Sequence, residues 1–141
     1  MIHRFALTVE SAAIDANGHA NNVEYVRWMQ QAAISHAEAA GCTEATKAAG
    51  ATWVVRSHHV EFLRSAREDD RLTVLTWVST LRRSSSLRKY LIVRRDEILA
   101  RGETVWVFVH GQTGRPLAIP AAVSSVFVLV PKEKEPQRQA P

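Results

Sequence analysis

Cysteine is nearly absent from this chain: Cys42 is the single one, which excludes an internal disulfide and any cysteine-built zinc cluster. Cys42 reads as a small buried or half-buried filler. Long apolar runs are missing as well. No stretch approaches the ~18 residues that cross a bilayer, so no membrane-spanning helix is expected. Met1-Ile2-His3-Arg4 leads into an alternating stretch and not into the apolar core of a signal peptide, and a soluble, cytoplasmic protein is the expectation. Zinc-finger spacing, an RNP-like aromatic motif and a helix-turn-helix pattern are all lacking, which leaves nucleic acid as a weak alternative partner. Histidine is too scattered to suggest a metal: His36, His58 and His59 find no partners at ligand spacing.

What is present suits one globular domain. The chain has 141 residues, 46% hydrophobic and 23% charged, with a net charge of +4. That is too apolar for a disordered chain, and long enough to bury roughly two-thirds of its unfolded surface. The positive balance admits nucleic acid but equally a polyanionic small molecule. Residues 1–130 are expected to form the domain. Residues 131–141 carry three prolines and no apolar side chain larger than alanine, and read as a disordered tail.

Phe5, Leu7 and Val9 alternate with polar or small neighbours, the period of a half-buried strand. From Val23 to Ala40 the apolar positions step by three and four, predicting an amphipathic helix closed by Gly41 as a left-handed cap. Four β-like runs follow, Thr52–Leu63, Arg71–Leu81, Ser86–Arg94 and Ile98–His110, and are read as an antiparallel meander. Pro120 is placed to open a short helix over residues 121–124. One strand, a long helix and four more strands share a core only if the sheet wraps the helix. Such a sheet leaves open edges, so pairing of edges between two copies is expected.

Asp15, Asn17, His19, Asn21 and Asn22 crowd polar side chains into the loop ahead of the helix. Turn formers and an N-cap would account for that composition without any function. The stretch Asp15-x-Asn17-Gly18-His19-x-Asn21-Asn22-x-x-Tyr25-x-x-Trp28, however, resembles the signature of the 4-hydroxybenzoyl-CoA thioesterase-like branch of the hotdog superfamily, and in particular that of plant-type acyl-ACP thioesterases. A looser likeness runs through residues 56–69 and 111–120. The resemblance implies an α+β hotdog fold, a long central helix wrapped by an antiparallel sheet of five to six strands.

It also implies a thioester hydrolase. Asp15 matches the catalytic carboxylate, either as general base for water or as nucleophile. Asn17 and His19 match its partners, and backbone N–H groups at Asn21 and Asn22 match the donors to the thioester carbonyl. A helix start is chemically suited to that duty, because its unpaired N–H groups and dipole favour a developing oxyanion. Tyr25 would line the acyl pocket or the dimer contact. Arg82, Arg83, Ser84 and Arg88 are candidates for the phosphates of a nucleotide-carried substrate, with a solvated turn as the equal alternative.

Three positions depart from the pattern: Ala13 where many relatives have an acid, Ala20 where valine is usual, and Ser65 at the best match for a further acid. Glu61 is assigned no role. The expectation is a homodimer, able to pair into a tetramer, acting on acyl-CoA or an acyl-carrier protein. It needs no metal or cofactor, with coenzyme A entering only as part of the substrate. A non-catalytic acyl-thioester binding module is the alternative. A hotdog hydratase is disfavoured, since its aspartate and histidine signature is not found.

Overall fold

A computed structural model describes residues 1–136. Strand β1 (His3–Thr8) is followed by a 3-10 turn at Ser11–Ala13, helix α1 (Asn22–Ala40) and helix α2 (Cys42–Ala48). Then come β2 (Ala51–Phe62), β3 (Arg71–Leu81), β4 (Ser85–Arg94), β5 (Glu97–His110) and a short helix α3 (Ala121–Ser124). The strands form one antiparallel sheet in the order β1-β3-β4-β5-β2, a hotdog fold of the α+β class with α1 laid across one face.

Local chemistry explains α1. Asn21 has extended φ and ψ of −61° and 143°, and its side chain accepts the Val23 N–H, capping the first turn. Gly41 closes the helix at φ 86°, a conformation that only glycine adopts cheaply. Tyr25, Trp28, Met29, Ala32 and Ala33 turn inward against Leu72, Val74, Tyr90 and Ile92 of the sheet. Approach is tight at Gly102 of β5, where an added Cβ would sit 2.6 Å from the Met29 Sδ.

The sheet departs from a simple meander. Only β3, β4 and β5 run on as consecutive neighbours; β2 crosses to pair with β5 over residues 51–62, and the 63–70 connection returns the chain to β3. This order leaves β1 and β2 as the two edges and lets the sheet curl around α1. Helix α2 is a further departure, for Cys42–Ala48 is one short helix packed beyond the Gly41 cap, with Cys42 buried.

The expected disorder after Pro131 is not met as far as Pro136. Lys132–Lys134 form a 3-10 turn, and the Glu135 carboxylate accepts from Trp77 Nε1 (3.1 Å) and pairs with Lys89 Nζ (2.9 Å). With Val130 buried beside Leu75, Trp77 and Leu91, this segment covers part of the sheet face opposite α1. Residues 137–141 lie outside the described residues.

Candidate active site

The polar loop is built by its own backbone. The Asp15 N–H donates to His19 O (2.8 Å), the Gly18 N–H to Asp15 O (3.0 Å), and Ile14 bridges Ala20, so residues 14–20 double back on themselves. Gly18 makes the reversal at φ 79°. One carboxylate oxygen, Asp15 Oδ1, accepts the Asn17 N–H at 2.9 Å, which fixes the side chain within its own turn.

A buried alanine ties this loop to the β2–β3 connection. Ala66, with no solvent exposure, accepts from the Ala20 N–H (2.8 Å) and donates its own N–H to the Tyr25 hydroxyl (2.8 Å), which donates onward to Arg64 O (3.1 Å). Burial raises the Tyr25 phenol above its ordinary pKa against the lowering effect of the Ala66 N–H, so it is a neutral pin. The connection is held from its other end by Arg94, which donates to Ser65 O (3.1 Å) and Asp70 Oδ2 (2.7 Å). Burial alone would raise Asp70, but the Arg67 N–H and the Arg94 guanidinium outweigh it and hold the carboxyl below the usual range.

Between the two segments lies a cavity of about 380 Å³. Asp15, Asn17, His19, Asn21, Asn22 and Tyr25 line one wall, and Phe62, Leu63, Arg64 and Ser65 the other. The six motif residues are therefore brought together. The second wall carries residues given no site role from sequence; the only signal for it was the looser resemblance through residues 56–69.

One assignment changes. Of the paired helix-start amides, Asn21 N–H is already committed to Ala13 O at 2.9 Å, whereas Asn22 N–H takes no partner among the described residues. None of Arg82, Arg83, Ser84 and Arg88 lines this cavity. Arg82 and Arg83 are exposed on the β3–β4 turn, half-buried Ser84 accepts the Phe108 N–H through its carbonyl, and Arg88 is 4% exposed on the row of β4 that faces α1.

The model of the thioesterase-like superfamily matches residues 9–127, which takes in the loop, the helix and the whole β2–β5 sheet. The chain belongs to the thioesterase-like superfamily. No curated protein matches its sequence. Among solved structures, this thioesterase-like chain is similar to YbaW of Escherichia coli, named a probable thioesterase, at 19% identity and TM-score 0.81, covering 88% of this chain and 95% of that one. Slr0204, a 1,4-dihydroxy-2-naphthoyl-CoA thioesterase from Synechocystis, superposes at TM-score 0.79 and 15% identity, covering 89% and 95%. DHNA-CoA thioesterase from Staphylococcus aureus gives 0.76 and 21%, covering 83% and 80%.

The Tyr25–Ala66 pin makes a direct prediction for this superfamily member. Tyr25→Phe keeps the packing but strands the buried Ala66 N–H, costing about 1–3 kcal/mol. Urea denaturation should show that loss in the midpoint with an unchanged slope. A midpoint equal to wild type would mean that the hydroxyl does not hold the loop.

Proposed function

We propose that this chain hydrolyses an acyl thioester, delivered by coenzyme A or an acyl-carrier protein, to a free acid and a thiol. One observation carries the reading: Asp15 and Asn22, whose N–H at the α1 start takes no partner among the described residues, line the same cavity. The carboxylate takes a proton from water as the water oxygen bonds to the acyl carbon. The resulting oxyanion is met by the Asn22 N–H and the positive end of α1. As the carbonyl reforms, the C–S bond breaks and the thiolate receives the proton held by Asp15. Asn17 fixes the base through its backbone N–H, and His19, which lines the same cavity, is given the role of orienting the water. No metal or cofactor takes part, and coenzyme A enters only as substrate. Thiol release from a panel of acyl-CoAs tests the reading; binding without turnover would instead favour an acyl-thioester binding module.

The site is proposed to work in a homodimer. β2 pairs with β5 on one side, and its other edge meets no strand among the described residues. It is a long open edge of the kind that pairs with another chain, and the apolar Val54 and Phe62 on it and Leu63 just past its end are 44%, 42% and 44% exposed. A second copy joined there would stand beside the Phe62–Ser65 wall of the cavity. Light scattering should give twice the chain mass at micromolar concentration, and a mass of one chain throughout would overturn the assembly.

A further inference from the structure

A second cavity, of about 340 Å³, opens between the later turns of α1, helix α2 and the sheet. It shares no lining residue with the Asp15 cavity. Ala33, Ala37, Trp53, Trp106 and Phe127 make most of its surface apolar. Against that surface stands Arg88, 4% exposed.

Arg88 is short of partners. Its Nη1 donates to His36 Nδ1 (2.9 Å) and Thr76 Oγ1 (3.1 Å), and the Phe127 ring lies 5.3 Å from the guanidinium carbon. Both hydrogen-bond acceptors are neutral. No carboxylate of the described residues comes within salt-bridge distance of Arg88, and Nε and Nη2 have no acceptor among them. A guanidinium stays charged in a protein, and desolvating one without a counter-charge costs several kcal/mol. Folding alone would be served as well or better by an apolar residue of the same volume. The cavity also carries its own apolar body, in the volume range of small-ligand sites.

We propose that this second cavity binds a free carboxylic acid with an apolar body, its carboxylate on Arg88 and its hydrocarbon against Ala33, Ala37, Trp53 and Phe127. The geometry matches: Nε and Nη2 of one guanidinium form the fork that takes two carboxylate oxygens. The site stands whether or not the Asp15 cavity hydrolyses thioesters.

Octanoate is the probe, read by quenching of tryptophan fluorescence and by calorimetry on the full chain. Wild type should bind it saturably, at least tenfold more tightly than octan-1-ol, which has the same tail and no charge. Arg88→Met should lose tenfold or more in octanoate affinity while keeping the wild-type circular dichroism spectrum. Asp15→Asn should bind octanoate unchanged, which separates this site from the first cavity. Equal affinity for octanoate and octan-1-ol in wild type would overturn the proposal, and that comparison needs no variant to fold. Undiminished octanoate binding by folded Arg88→Met, or its loss in Asp15→Asn, would overturn it too.

Discussion

Asp15→Asn should lower kcat/KM on the best acyl-CoA substrate by about 10²–10⁴-fold, the contribution typical of a positioned general base. That corresponds to roughly 3–5 kcal/mol of transition-state stabilisation. The replacement is nearly isosteric, and its amide oxygen can still accept the Asn17 N–H that Asp15 Oδ1 takes at 2.9 Å. The loop should therefore keep its shape and the melting temperature should hold. What is lost is the charge that takes the proton from water. Because the proton moves only during reaction, the deficit should fall on kcat with KM little changed. The Asn22 N–H and helix dipole remain in the variant and should leave residual turnover above the uncatalysed rate. Wild-type turnover in Asp15→Asn would remove Asp15 from the mechanism, and with it the reading of the first cavity as the reactive one.

The loop was legible in the sequence because everything that shapes it is local. A turn glycine, an Asx turn at Asp15 and an N-cap at Asn21 act within a few residues. Strand limits were legible for the same reason: the β3 range was read to the residue and those of β2, β4 and β5 within one. Strand order was not, because the choice of β5 over β3 as the neighbour of β2 depends on where α1 and α2 deliver the chain. The amide of Asn21 shows the same limit, since its acceptor, Ala13 O, lies across the doubled-back loop. Arg88 shows it most sharply. Period two puts it in one row with Ser86, Tyr90 and Ile92, while the alternating row holds Leu87, Lys89, Leu91 and Val93, so each row mixes one cation with apolar neighbours and neither is marked as the solvent face. The structure explains why, with α1 on one face and the 130–135 segment covering part of the other. A serine-rich basic turn just before it suggested a solvated cation, and only the packing shows an interior one.

The second large effect concerns pH, and it arises where Arg88 meets α1. His36 is 9% exposed, stacks on the His3 ring at 4.8 Å and meets Phe127 edge-on at 4.9 Å. Its Nδ1 accepts from Arg88, which requires the neutral ring. Burial, then the charges of Arg88, His3 and the chain amino terminus, push its pKa down from 6.5 to about 3. The unfolded chain takes up that proton below pH 6.5 and the folded chain does so only below about 3. Between those values the unfolded state binds more protons, so stability is full above pH 6.5 and drains away as the pH falls. From pH 7 to pH 5 the loss through His36 should be about 2 kcal/mol, or roughly 6–10 °C in melting temperature. Asp70 does not confuse that interval. Its carboxyl lies below the usual range when folded, so its contribution is lost only under more acidic conditions. His36→Gln supplies an amide oxygen for the Arg88 donor and cannot titrate, so its melting temperature should change much less between pH 7 and 5. His3 and His58, both also held below 6.5 chiefly by burial, remain to set the residual slope. A variant whose melting temperature falls as steeply as wild type would show that His36 is not the group that keeps its proton off, and that the Arg88 guanidinium is not anchored to it as the packing requires.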